Sequence, residues 1–416
     1  METDLYIAVR FLLAKLRSML MSLSGIVFGV GLFVVTQAQT SGFEHFFIRT
    51  VLGTDGALRV EDRFQDTIAS MIIKSETSNA RTRVSLAKER RYVEGIEYPD
   101  KVIEGLMQFE NVSGASPVLR NNIEVESNFR TESGEIFGIN LDQHLAVSDL
   151  AHQIVFGNLE DFRADPDGLL IGSMLADRLN ITVGDSVVLT EAGRSQRFVV
   201  SAIFESGVEH VDKQRVIVHL AQAREVLDKP FGVSYIQANV YDIDRAPLDS
   251  DQMQEVLGHQ VEPWQEREKI WLDVFHALRA SSAITVSTII LISGLGMFNT
   301  LAMVVMEKTK EIAILRSMGY TRRDISRIFL MQGGLVLLAG SVLGCAFGAF
   351  ATWMVASIPL RIRGIFSTDH FVVYWSVWHY VGAVLAATVV VMIASWVPAR
   401  RAARLEPGDI IRGTAA

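Results

Sequence analysis

Five charged residues, Glu307, Lys308, Lys310, Glu311 and Arg316, are interleaved with Ile312, Ile314, Leu315 and Met318 in a stretch flanked on both sides by long apolar runs. Side chains three and four apart share a helix face, so a helix here offers charge and aliphatic bulk together. That chemistry is recognition, not catalysis, and it suits the docking of a soluble partner. The plainer alternative is a positive loop that only sets orientation in a membrane. Gly319 supplies a helix stop, and Thr321 with Asp324 reads as an N-cap and its capping box. A short helix ends, the chain turns, and a second helix starts into an apolar run.

Other chemistries find little support in the sequence. No Gly-x-x-x-x-Gly-Lys-Ser/Thr phosphate loop occurs, so the chain is not expected to cradle ATP in that manner. The nine His residues show no His-Glu-x-x-His and no metal-ligand spacing. Cys345 is the single cysteine and lies inside an apolar run, which excludes an intrachain disulfide. Any hydrophilic domain must fold on its core alone, for which about 240 residues are ample.

The elements that position the charged helix are membrane spans. Apolar residues make up 49% of the 416-residue chain and charged residues 21%, and the mean hydropathy is positive. Residues 18–43, 280–306, 328–360 and 370–399 hold long runs that exceed the ~20 apolar residues a spanning helix needs. Basic residues cluster in three places: Arg10, Lys15 and Arg17; Lys308 to Arg327; and Arg400, Arg401, Arg404 and Arg412. By the positive-inside rule all three are cytoplasmic, as are both termini. Arg361 and Arg363, in a short outer loop, are a mild exception. Leu5, Val9, Leu12 and Leu16 follow helical spacing, so the N-terminus reads as an interfacial helix leading into a retained span, not a cleaved signal peptide. The expected order is an interfacial helix (1–17), a first span (18–41), an outer domain (42–279), a second span (280–306), a cytoplasmic helix loop (307–327), a third span (328–358), a short outer loop (359–372), a fourth span (373–398) and a cytoplasmic tail (399–416). Gly25 with Gly29, and Gly340 with Gly344 and Gly348, are spaced for close helix contact, although glycine is also simply common in membrane helices. Gly294, Gly296 and Asn299 are candidates for an irregularity in the second span.

The outer block holds 39 of the 47 acidic residues and 24 of the 39 basic ones, leaving it net about −15. Such acidity serves solubility and would attract a basic partner. The block reads as mixed α/β. Strands are expected at 57–61, 186–190, 197–204 and 216–219, with a turn at Gly193. Helices are expected at 172–179 and 221–227, and at 100–109 with Val102, Ile103, Leu106 and Met107 on one face. A helix from Glu262 to Leu278 should continue into the second span, and the basic stretch 75–91 reads as a mobile loop.

The order Glu307-Lys-Thr-Lys-Glu-Ile-Ala-Ile-Leu-Arg-Ser-Met-Gly closely resembles the coupling helix of the FtsX-like, or MacB-type, ABC transporter permeases. Gly168-Leu-Leu-Ile-Gly-Ser-Met-Leu-Ala-Asp-Arg-Leu-Asn-Ile-Thr-Val-Gly-Asp-Ser-Val and Val200-Ser-Ala-Ile-Phe-Glu-Ser-Gly-Val, before Asp212, resemble that family's periplasmic domain. Pro398-Ala-Arg-Arg-Ala-Ala-Arg-Leu-Glu-Pro is similar to its C-terminus. Leu5-Tyr-Ile-Ala-Val-Arg-Phe-Leu, Ser41-Gly-Phe-Glu and Phe298-Asn-Thr-Leu look most like the lipoprotein-releasing branch, LolC and LolE. The resemblance is weakest over 70–155.

The resemblance implies a bacterial inner-membrane protein, α-helical with four transmembrane helices, plus a large mixed α/β extracytoplasmic domain of the MacB periplasmic core type. It implies the permease subunit of an ATP-driven transporter that extracts lipoproteins toward a periplasmic carrier. Two copies of a separate ATPase, binding ATP and Mg, would dock at Glu307, Glu311, Ile314, Leu315, Arg316, Met318 and Gly319. This chain would hold no cofactor, metal or nucleic acid. One set of four spans implies a second permease chain, as a homodimer or heterodimer. The lipidated client would pass between the outer ends of the first two spans. These carry Phe33, Thr36, Gln37, Thr40, Phe43 and Phe47 on one side, and Ile284, Ser287, Thr288 and Leu291 on the other. Mixed apolar and hydroxyl surfaces suit an acyl chain below and a polar head above; aromatic anchoring at the lipid interface is the alternative for each Phe. Other readings are an FtsX-like signalling permease, whose outer domain is smaller than this one, an exporter of another amphiphile (macrolide, lipid or peptide), and, least supported, a membrane-bound enzyme.

Overall fold

The computed structural model of the chain describes residues 2–13, 16–62, 95–128, 130–362 and 368–404. It divides into two compact units, one holding residues 1–46, 273–360 and 369–416, the other residues 47–272 and 361–368. The stretch expected to be a mobile loop, 75–91, lies outside the described residues.

The first unit is helical. A short N-terminal helix, Glu2–Leu13, precedes a 40-residue helix, Leu16–Asp55. Three more long helices follow, Lys269–Glu307, Arg322–Ala356 and Val377–Ala403. These four, here spans 1 to 4, are long and apolar enough to cross a membrane. A two-stranded element between spans 3 and 4 pairs Pro359–Ile362 with Thr368–His370.

Small residues set the helix contacts. Ser293 on span 2 donates its hydroxyl to the Gly25 carbonyl at 2.8 Å, and Gly29 lies against Ile290. On span 3, Gly340, Gly344 and Gly348 face Ile26, Val30 and Val34 of span 1. Both glycine sets therefore serve backbone approach. Span 2 runs unbroken through Gly294, Gly296 and Asn299, so the expected irregularity is absent. Gly294 instead receives Val390 of span 4, and a side chain on Gly296 would meet open space. The N-terminal helix buries Ala8 and Phe11, whereas Val9, expected on its apolar face, is exposed.

The second unit is built on strands β1 (Leu58–Val60), β2 (Val112–Glu126), β3 (Thr131–Ile139), β4 (Ile154–Gly157), β5 (Gly168–Gly172), β6 (Ser186–Glu191), β7 (Arg194–Phe204), β8 (Arg215–His219), β9 (Tyr235–Val240) and β10 (Val261–Pro263). Long β2 serves two partners along one edge: its first half pairs with β9, and its end with β6. Its other edge pairs with β3. The ladder continues through β8, β5 and β7, and β7 pairs back with β6. Six strands thus close a circuit, which removes exposed edges. All six feed one buried cluster, including Ile123, Ile136, Ile171, Leu189, Phe198 and Val218. Helices Ser173–Leu179 and Leu220–Val226 add Leu175, Leu179, Ala223 and Val226 to it. Strands β9, β1 and β10 form an open extension with a second cluster around Leu58, Ile236 and Trp264.

Two local expectations need correction. Residues 262–278 are not one helix. Val261–Pro263 is a strand paired with β1, Trp264–Arg267 is a single turn, and span 2 starts after a break at Glu268. Pro263, extended at ψ 154°, caps that turn; the ladder to β1 outweighs the helical periodicity. The helix Pro99–Leu106 buries Val102 and Leu106, but Met107 lies past its end and is exposed.

Candidate coupling helix and client path

The segment with interleaved charge forms the helix Thr309–Ser317. It stops through a Schellman arrangement: Gly319 N–H donates to the Arg316 carbonyl at 3.2 Å and Tyr320 N–H to the Leu315 carbonyl at 3.2 Å. Gly319 has φ +100°, a conformation costly for any residue with a Cβ. Span 3 then begins with a capping box. The Thr321 hydroxyl accepts from Asp324 N–H at 3.3 Å, and Asp324 Oδ2 accepts from Thr321 N–H at 2.9 Å. The stop and the capping box together make one tight turn between this helix and span 3.

Packing divides its residues into two sets. Ile312 and Ala313 are buried, and Leu315 packs against the spans' core. Arg316 donates Nη1 to the Ala403 carbonyl at the end of span 4, at 3.3 Å. Lys308 pairs with Glu311 and stands 5.6 Å from the Phe11 ring centroid. The opposite side is open. Glu307 and Glu311 are exposed, Ile314 is 59% exposed and Met318 72%. Glu311, Ile314 and Met318 follow an i, i+3, i+7 spacing and form one acidic and aliphatic face, while Glu307 closes span 2 just before the break at Lys308. Leu315 and Arg316 therefore hold the helix to its own chain, while Ile314 and Met318 present it outward.

The residues singled out for a client path separate in the same way. Ile284, Thr288 and Leu291 form one exposed stripe on span 2. Gln37 is buried and donates Nε2 to Ser282 Oγ at 3.3 Å, pinning span 1 to span 2. Phe33 packs on the bundle core. Phe43 meets Phe371 edge-on with centroids 5.8 Å apart. Phe47 is fully buried, with Trp271 at 5.7 Å. Phe43 and Phe47 thus have aromatic partners instead of lining an open face. The hydroxyl surface is also altered. Thr36 donates to the Leu32 carbonyl at 2.7 Å, Thr40 to Thr36 at 3.0 Å and Thr288 to Ile284 at 2.9 Å. A hydroxyl that back-bonds to its own helix has spent its one donor and can offer a ligand only an acceptor. Ser287 is partly buried beside them.

One polar constellation escaped the sequence reading. Asp55, the last residue of span 1's helix, is met by Arg215 from β8, with Nη1 and Nη2 both 3.3 Å from Oδ1. Arg59 Nη2 lies 3.7 Å from Oδ2, and Gln237 Nε2 is 3.5 Å from Oδ1. Arg267 donates to the Gly56 carbonyl at 3.0 Å. The Arg215 guanidinium stacks 3.9 Å from the Phe137 ring, and Arg59 lies 4.6 Å from that of Tyr235. Burial, and then the Asp55 charge, push the Tyr235 phenol up to about 12. His144, also buried, is lowered to about 4 by desolvation and then by Arg215. Only scattered charges separated by as many as 212 residues, from Asp55 to Arg267, mark this cluster in the sequence.

A second buried tie joins the two phrases that resemble the periplasmic domain. Asp212 Oδ1 accepts from Ser206 N–H at 2.8 Å and Ser206 Oγ at 2.7 Å. Gly172 abuts the Asp212 backbone, where a Cβ would fall 2.4 Å from its carbonyl oxygen. Burial raises the Asp212 carboxyl, and the Ser206 bonds pull against that rise. Among the described residues no group of three or more His, Cys, Asp or Glu stands together as a metal site.

Residues 19–256 match the MacB-like periplasmic core domain family, and residues 283–407 the FtsX-like permease C-terminal family. The lipoprotein-releasing system transmembrane protein LolC of Xylella fastidiosa (strain Temecula1) is 25% identical over 98% of both chains. LolC of Neisseria meningitidis is 24% identical over 76% of this chain and 83% of its own. The macrolide export ATP-binding/permease protein MacB of a Shewanella species is 32% identical over 31% of this chain and 18% of its own. The crystal structure of the periplasmic region of MacB from Actinobacillus actinomycetemcomitans aligns with a TM-score of 0.36 at 11% identity, covering 54% of this chain and 94% of that one.

Proposed function

The chain belongs to the FtsX-like, MacB-type ABC transporter permeases, and from that premise we propose that it is the membrane subunit of a complex that extracts lipoproteins from the inner membrane. Its relatives include bacterial lipoprotein-releasing and macrolide-export permeases. The observation that carries the reading is similarity to LolC along nearly the whole of both chains. The exposed Glu311, Ile314 and Met318 face, with exposed Glu307 at the end of span 2, supports a docking place for a separate ATPase, two copies of which would supply ATP and Mg chemistry. Gly319 sets the end of that helix; Leu315 and Arg316 seat it. A second permease chain would complete the enclosure, with the exposed stripe of Ile284, Thr288 and Leu291 facing the client's acyl chain. Both termini and the docking helix would lie in the cytoplasm, and residues 42–279 in the periplasm, where a carrier protein would receive the client.

A photo-crosslinker at Thr40 or Leu291 of the assembled complex tests this reading. Adducts to a lipoprotein that disappear on ATP addition are expected. Adducts confined to bulk phospholipid and indifferent to ATP would sink lipoprotein release and favour export of another amphiphile.

A further inference from the structure

The N-terminal helix and spans 1 and 3 line an open apolar crevice of about 280 Å³. Val9 and Leu12 line it from the N-terminal helix, Leu20 and Leu23 from span 1, and Leu335 and Ala339 from span 3. None of these side chains carries a polar atom, so the crevice suits hydrocarbon and offers nothing to a polar ligand. Near it, fully buried Gln332 donates Nε2 to the Ala8 carbonyl at 3.4 Å. That bond holds the N-terminal helix to span 3 one turn before Val336, also part of the lining.

Depth and charge identify the occupant. Leu335 and Ala339 lie 8 and 12 residues past Arg327, the last basic residue before span 3 turns apolar. At ~1.5 Å per residue this places the crevice roughly 12–18 Å from the charged end, within one leaflet's acyl region. Arg17 lies three residues before Leu20 of the lining, on the same side of span 1's helix, and Arg10 follows Val9. Both are exposed, and neither has a carboxylate partner among the described residues. We propose that this crevice binds one acyl chain of an anionic phospholipid, phosphatidylglycerol being the test case, with Arg10 and Arg17 on its phosphate. Basic residues beside an apolar crevice at the membrane surface favour this lipid class over a zwitterionic one. The site is separate from the exposed stripe on span 2 and does not depend on what the client is.

Native mass spectrometry of the full chain in detergent, titrated with phosphatidylglycerol or phosphatidylcholine of matched acyl chains, tests the site. The expected result is one tightly retained phosphatidylglycerol, preferred about tenfold over phosphatidylcholine. Ala339→Phe fills the crevice and should lose that lipid, whereas Leu385→Phe, on the exposed face of span 4, should keep it. The double variant Arg10→Gln/Arg17→Gln leaves the crevice intact and should erase the preference while retaining lipid. Equal retention of both lipids by the native chain, or undiminished retention by Ala339→Phe, overturns the proposal. Thermal unfolding of each variant confirms that a loss of lipid is not a loss of fold.

Discussion

Arg215 grips Asp55 through both terminal guanidinium nitrogens, each 3.3 Å from the same carboxylate oxygen, across a separation of 160 residues. Both residues lie in the second unit, where the pair ties the chain just before β1 to strand β8. Arg215 is only 7% exposed, and Arg59 and Arg267 crowd the same carboxylate. Removing one partner of a buried ion pair strands the other's charge, at a cost of about 3–5 kcal/mol. Asp55→Asn should therefore destabilise the outer domain by about that much, and Asp55→Leu/Arg215→Met should recover part of the loss. Chemical unfolding of the full chain in detergent, followed by domain tryptophan fluorescence, measures both. An Asp55→Asn variant as stable as the native chain would show that the cluster is not a structural tie.

The short helix separates docking from folding. Ile314→Asp and Met318→Asp should abolish co-purification of the ATPase while leaving the melting temperature unchanged, because both side chains are exposed. Leu315→Asp should lower stability by roughly 2–5 kcal/mol, since it places a charge against the span core. If Met318→Asp retains the ATPase and its client-stimulated turnover, the assignment of this face is wrong.

His144 makes the outer domain sensitive to acid. Its folded pKa of about 4 lies below the ordinary 6.5, through burial and then the Arg215 charge. As pH falls, the unfolded chain takes up the proton first. The stability contribution is complete above about pH 6.5 and is lost progressively toward pH 4. At pH 5 the loss is about 2 kcal/mol relative to pH 7. Urea unfolding at the two pH values should show that difference in the native chain and a smaller one in His144→Gln.

Two glycines on neighbouring spans should respond in opposite directions. A Cβ on Gly344 would fall 2.8 Å from Val30 Cβ, whereas one on Gly296 meets nothing within 4 Å. Gly344→Ala should cost about 1–3 kcal/mol by overpacking, and Gly296→Ala should be neutral or stabilising through helix propensity. Thermal unfolding in detergent ranks them, and equal effects would contradict the span 1 to span 3 packing.

Membrane-impermeant thiol labelling in a Cys345→Ala background tests the orientation inferred from basic residues. Cysteine at Ser195, an exposed position in the hairpin of β6 and β7, should label from outside the inner membrane. Cysteine at Ser317 should label only after permeabilisation. The reverse pattern would invert the topology.

What the sequence determined by itself is local in origin. Length and apolarity mark the spans, because lipid requires each helix to satisfy its own backbone. The Gly319 stop and the Thr321 with Asp324 cap are set by atoms within a few residues, and both stand as their spacing implies. Strands β6 and β7, joined at Gly193, were legible for the same reason. Tertiary structure decided the rest. Residues 262–278 read as one helix until β1 drew Val261–Pro263 into its ladder. Leu315 and Met318 are both aliphatic and three residues apart, yet one seats the helix and the other faces out; only contact with the spans distinguishes them. The closure of β2 through β6, and the gathering of Asp55, Arg59, Arg215 and Arg267, depend on pairings across up to 212 positions of sequence. A hydrogen bond or ion pair between distant residues leaves no periodicity for a single sequence to display, because its partners meet only after the intervening chain has folded.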